Sequence, residues 1–197
     1  MDVATPASNV DQTRQSNPVN EITGIATRFG DAWATPVYDR AGNMTSIPKP
    51  ADPTEAFIGS YDAWNRLVQV KDGAAVVSTY RYDGLKRRVT VADNTEIRHA
   101  YYSSNWRLLQ ENVTAGSTTT VDRQFVWGLR YIDELILRDR SFSGGTLNER
   151  LFATQDANWN TTTNVDSFGA VSERYHYLPY GTTQFLDGIF AYRSALS

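Results

Sequence analysis

The chain of 197 residues carries a formal net charge of -3 and no cysteine, which excludes disulfide frameworks, cysteine-ligated zinc and thiol nucleophiles. Its acidic balance, without clustered Lys or Arg, lacks the electrostatic footprint of a nucleic-acid binder, and no apolar run approaches the roughly 20 residues of a membrane helix. Eleven Tyr, 5 Trp, 8 Phe and 13 Gly, with Arg far ahead of Lys and Asp ahead of Glu, suit pleated sheet joined by tight turns and predict an all-β chain.

Residues 1–36 are expected to form a flexible or poorly packed start. Residues 1–20 combine Asn, Asp, Gln and Ser with two prolines and few large apolar side chains, and they lack the apolar stretch of a signal peptide. From residue 37 to 123 a repeat organises the chain. Tyr38, Tyr61, Tyr82 and Tyr102 head four segments that align without gaps, at intervals of 23, 21 and 20 residues. That period is too long for one strand and too short for a domain, so each unit is one supersecondary element stacked on its neighbours.

The columns of the repeat specify a strand, a turn and a second strand. Asp39, Asp62 and Asp83 follow the first three tyrosines, and a short carboxylate there accepts hydrogen bonds from N–H groups a few residues ahead. Three residues further on stand Gly42, Asn65, Lys86 and Trp106; Gly and Asn tolerate positive φ, so the turn is well encoded twice and poorly encoded twice. Val68 and Val70, or Val89 and Val91, then alternate with polar residues as a strand with one buried face requires. Arg66, Arg87 and Arg107 share a column, and pairing with Asp or with carbonyls of the adjacent unit is expected of them. Pro48, Pro50 and Pro53 make the stretch from Ile47 to Glu55 a loop, while 115–120 and 141–146 read as hairpin loops.

These units resemble the YD-repeat, or Rhs-repeat, family, whose signature is Tyr-Asp followed two residues later by Gly-Arg-Leu or Asn-Arg-Leu; Tyr61 to Leu67 fits it closely. Downstream, residues 124–182 are similar to the start of the Rhs-associated core. The likeness rests on Phe125-Val-Trp127-Gly128 through Glu134, on Leu151 to Asp166 with Asp156, on Gly169, and on Tyr175-His-Tyr177-Leu-Pro179-Tyr180-Gly181. The resemblance implies antiparallel β-hairpins forming a curved, spiralling sheet, part of a shell around a toxic C-terminal polypeptide or of a surface scaffold. It implies a non-enzymatic structural segment, secreted or at the cell surface, with no cofactor. The partners implied are adjacent YD repeats or a toxin cargo missing from this chain. Where the family has Tyr-Asp-Pro-Tyr-Gly, Leu178 replaces the carboxylate, and the segment 183–197 reads as a truncated or divergent tail without an Asp-Pro cleavage box. A fragment or truncated copy of a shell is therefore expected, with open strand edges that favour oligomers.

Other chemistry is weakly encoded. His99 and His176 are the only histidines and have no ligand-spaced companions. Asp62, Asp83, Asp156 and Asp166 offer the carboxylates a glycosidase needs as a pair, yet each already opens a turn. Trp33, Trp64, Trp106, Trp127 and Trp159 are the aromatic faces on which a carbohydrate would stack, so an adhesive, glycan-binding β-module is the alternative function.

Overall fold

The computed structural model describes residues 10–193, which are almost entirely strand and turn. They fall into two compact units, 1–95 and 96–197. In the first unit, β1 (Asp11–Ser16) and β2 (Ile22–Phe29) form a separate antiparallel pair. The strands β3 (Val37–Tyr38), β4 (Met44–Pro48), β5 (Ala56–Tyr61), β6 (Leu67–Asp72), β7 (Ala75–Tyr82) and β8 (Arg88–Ala92) follow as a meander. The second unit is a meander of eight: β9 (Ile97–Tyr102), β10 (Leu108–Ala115), β11 (Thr118–Trp127), β12 (Leu135–Arg140), β13 (Glu149–Gln155), β14 (Thr161–Asp166), β15 (Val171–Tyr177) and β16 (Thr183–Leu186). Every pairing is antiparallel and joins chain neighbours. Among the described residues the only helical turn is the 3-10 segment Pro179–Gly181.

The all-β hairpin architecture is as the sequence predicts; the start of the chain is not. Residues 1–9 lie outside the described residues, but residues 11–29, expected to be flexible or poorly packed, form the β1–β2 hairpin. The reason lies in Ile22, Thr23, Ile25 and Thr27, a β-branched run that suits a strand and outweighs the polar residues facing it. Most side chains of β1 stay exposed all the same. The expected loop at 115–120 also shrinks to Gly116 and Ser117, because Thr118 to Thr120 already pair with Ala115 to Val113.

The sheet has little on either face. Among the described residues Leu151, at 4% exposure, is the only buried side chain among the leucines, isoleucines, valines and aromatics, and the strand positions of β4, β14 and β16 are half-buried throughout. Val68, Val70, Val89 and Val91 are half-buried as well, so the clean one-face burial expected from alternation is absent.

Candidate functional site: a seam of turns

In an antiparallel meander every second connection lies at the same end of the strands. In the first unit that end carries the turns opened by Asp39, Asp62 and Asp83; in the second it carries those opened by Ser103, Asp156 and Leu178 and the loop 128–134. The turn at Asp62 shows the design. Asp62 N–H donates to the Arg66 carbonyl and Asn65 N–H to the Asp62 carbonyl, both at 3.0 Å. The Asp62 carboxylate then accepts from the N–H groups of Trp64 (2.9 Å) and Arg66 (3.1 Å) and from Arg66 Nε (2.7 Å). The last requirement is positive φ three residues after the opening residue: 84° at Gly42, 60° at Asn65, 66° at Lys86 and 68° at Trp106. Lysine and tryptophan there carry backbone strain that the surrounding hydrogen bonds hold in place.

The same frame recurs where the family signature is absent. Asp156 with Trp159, Asp166 with Gly169 and Asp187 with Phe190 repeat both backbone bonds and positive φ, and Asn17 with Asn20 does the same with an amide in place of the carboxylate. At Leu178 the backbone bonds survive without a carboxylate, since Pro179 and Gly181, at φ 85°, supply the turn conformation themselves. The side chain of Tyr180 lies outside the described residues. The segment 183–197 thus opens with strand β16 and an Asp-led turn, and Arg193 N–H returns to the Phe185 carbonyl.

Successive turns are tied to one another. Tyr61 donates its hydroxyl to the Met44 carbonyl (2.9 Å), Tyr82 to that of Leu67 (2.8 Å), and Tyr177 to that of Thr161 (2.8 Å), while Trp127 Nε1 donates to the Leu108 carbonyl (2.7 Å). Each acceptor stands five residues after a turn-opening residue, so these aromatic donors read one fixed position of the preceding turn. Tyr38 instead accepts from Ile22 N–H at 3.4 Å, and Tyr102 closes β9 opposite Leu108. Partial burial pushes the Tyr61 and Tyr177 phenols above their ordinary pKa and keeps them protonated donors. Asn43 Nδ2 bridges Asp39 (2.8 Å) and Asn65 (3.0 Å), linking the first two turns.

The arginine column pairs partly with the Asp of its own turn and partly with carbonyls of the adjacent repeat. Arg66 and Arg87 turn back onto Asp62 and Asp83 of their own turns, at 2.7 and 2.6 Å, although Arg66 also reaches the Asp83 carbonyl at 3.4 Å. At Ser103 no carboxylate is available. Arg107 instead donates Nη1 to Gly128 O (2.7 Å), Nη2 to Tyr131 O (2.6 Å) and Nε to Ile132 O (3.1 Å), which fixes the loop 128–134. In that loop Glu134, 2% exposed, holds the Arg130 guanidinium and the Arg130 N–H, and a Cβ on Gly128 would collide with its carboxylate. Tyr131 stacks on Trp159 of the next turn with centroids 5.3 Å apart. Glu134 was not legible as a site residue, since a glutamate six residues after a glycine carries no pattern of its own.

The electrostatics match a scaffold. The Asn43 side chain holds the Asp39 carboxyl below its usual range; Arg66 does so for Asp62, Asn160 for Asp156 and Arg130 for Glu134. For Asp83 desolvation is the largest influence and pushes upward, but Arg87 and two N–H groups outweigh it. Tyr175 is driven strongly upward by burial and by its hydrogen bond to Glu173. Its phenol donates to Glu173 at 2.5 Å and accepts from Asn164 at 2.7 Å. His99 bonds Thr114 and His176 bonds Gln184. Among the described residues no three His, Asp or Glu side chains are grouped as metal ligands would be, and no helix is long and apolar enough to cross a membrane.

Comparison with known proteins gives two kinds of match. Residues 61–96 match the model of the RHS repeat family. Among solved structures, the chain is similar to the crystal structure of TcdB2-TccC3 at 13% identity and a TM-score of 0.45, covering 93% of this chain and 12% of that one. It is also similar to a Photorhabdus luminescens Tc holotoxin pore at 13% identity and a TM-score of 0.33, covering 88% of this chain and 13% of that one. The chain therefore spans about one eighth of the length of those structures. No curated protein matches.

Proposed function

The chain carries an RHS repeat over residues 61–96, and on that premise we propose that it is a non-enzymatic structural segment of an Rhs-type shell, built from hairpins that close only with further repeats. The observation that carries this reading is that each unit has its turns stitched to one another, while among the described residues Leu151 is the one buried leucine, isoleucine, valine or aromatic side chain. A globular β-domain of this length covers one sheet face with a second layer; a shell wall leaves both faces to other material. The other material is adjacent YD repeats and a toxin-like cargo, in a secreted or cell-surface protein. Asp156, Gly169, Tyr175 and Tyr177 serve as structural residues of the core segment, and Asp62 and Asp83 serve as turn caps rather than as catalytic acids.

Light scattering on the isolated chain tests the reading. Oligomers that give way to a monodisperse species when further YD-type hairpins are appended are the expected result. A monodisperse 22.1 kDa monomer with cooperative unfolding overturns it, because the segment is then complete without neighbours.

One feature favours the adhesive alternative. Trp64 is 67% exposed at its turn, and with Arg66, Tyr82 and Lys86 it lines a surface groove of about 340 Å³ between two turns. Binding on a glycan array that disappears in Trp64→Ala, with the melting temperature unchanged, would support that module; an unchanged array profile removes it.

A further inference from the structure

The second unit holds a cleft whose lining includes one bonded pair of the seam, Tyr177 and Thr161. Its walls come from six successive strands, β11 to β16, and its volume is about 380 Å³. Phe125 on β11 and Phe185 on β16 both line it, although five strand spacings separate those strands, a distance of about 24 Å in a flat sheet. The sheet of this unit therefore curls toward that face. The register places Phe125, Arg138 and Leu151 side by side on it, followed by Ala153 and Asn164, and then by Tyr175 opposite Phe185. The floor is the buried Leu151, 4% exposed.

We propose that this cleft binds a small, flat aromatic molecule carrying a single negative charge. The aromatic body follows from the walls. Phe125, Tyr175 and Phe185 present ring faces and edges, and Tyr175 and Phe185 meet edge-on at 5.9 Å and 86°, which leaves their exposed faces to a further ring. The volume falls at the lower end of the range for small-molecule sites, enough for one or two fused rings. The charge follows from Arg138, the only charged side chain in the lining. Glu149 takes Arg138 Nη2 at 2.8 Å from outside the cleft, whereas Arg138 Nε is buried without a hydrogen-bond partner, so the guanidinium is incompletely satisfied by protein. Asn164, Thr161 and Thr183 add neutral polar groups, and the neighbouring carboxylate of Glu173 is engaged by the Tyr175 hydroxyl (2.5 Å) and by Arg193 (3.3 Å).

Titration of the full chain with 2-naphthoate and with its neutral isostere 2-naphthamide, followed by amide chemical shifts, tests this. Saturable shifts around Phe125, Leu151 and Phe185 are expected, with naphthoate bound roughly tenfold more tightly than naphthamide, the worth of one charge-assisted contact. Arg138→Met should erase that preference while leaving naphthamide binding unchanged. Arg150→Met, one register position away and therefore on the opposite face, should leave both ligands unaffected. Equal affinities for the two ligands in the unmodified chain, shifts centred elsewhere, or no saturation overturn the proposal.

Discussion

Tyr82 reaches back across its hairpin to donate a hydrogen bond to the carbonyl of Leu67 at 2.8 Å. Leu67 is the first residue of β6, directly after the turn that Asp62 opens, so the bond locks the exit of one turn to the entrance of the next. Tyr61 makes the same bond to Met44. The tyrosine of the repeat thus acts as a ruler for the stacking of hairpins, and the aspartate as the clasp of each one. Replacing Tyr82 with Phe keeps the ring and removes the bond. Stability should fall by about 1 kcal/mol, measured by urea denaturation, with the m-value unchanged.

The turn position with positive φ gives a paired test. Asn65→Ala should destabilise by about 1 kcal/mol, whereas Lys86→Gly should stabilise by a similar amount, because φ is 60° and 66° at these sites. A drop in melting temperature for Lys86→Gly would contradict the strain assigned to that turn.

Gly128 is required for space rather than for φ. An alanine Cβ there meets the Glu134 carboxylate, and Gly128→Ala should cost about 1–3 kcal/mol, as overpacking does. The double variant Gly128→Ala, Glu134→Ala removes the clash but also the clasp on Arg130. Non-additivity in a double-mutant cycle is the expected outcome.

Arg107 answers to carbonyls, which need its fork. Arg107→Lys keeps the charge but offers one nitrogen in place of three, so amides of 128–134 should exchange with solvent faster while those of β7 and β8 keep their rates. Mass spectrometry of exchanged peptides reads both regions in a single experiment.

Acid should undo the turns. The carboxyls of Asp39, Asp62, Asp83 and Asp156 sit below their unfolded value of 3.8. A group depressed in the folded state stabilises above its unfolded pKa and loses that contribution as pH falls through the folded value. Stability should therefore be level above about pH 5 and decline below about pH 4. Asp62→Asn should flatten part of that decline, since the amide still accepts N–H bonds but no longer titrates.

Much of the seam was legible because its chemistry is local. A carboxylate two residues before an N–H, or a glycine where φ must be positive, needs no knowledge of the rest of the chain, and Asp39, Gly42, Asp62 and Asn65 could be read directly. The turn at Asp187 and the one at Asn17 use the same rule but lack the neighbouring tyrosine, which hid them. What the sequence concealed is non-local. Arg107 does not differ from Arg66 as a letter; its partner changes because Ser103 replaces an aspartate and because a loop 21 residues away brings carbonyls to it. The β1–β2 hairpin hides behind a polar composition, since only the β-branched residues of β2 mark it as strand. The cleft under Arg138 was invisible because it exists only once six strands have curled.

Since each strand of a meander pairs only with the strands before and after it in the chain, every contact that matters is made over a short stretch of sequence. Such a chain has low contact order, so a hairpin can form as soon as its two strands exist and then serve as the template for its successor. An insertion or deletion of one whole tyrosine-to-tyrosine period leaves all other pairings and ruler bonds in register. Such a sheet can accordingly grow or shrink by complete periods in evolution, and the intervals of 23, 21 and 20 residues are accommodated in the connections, whereas a one-residue slip within a strand exchanges its two faces.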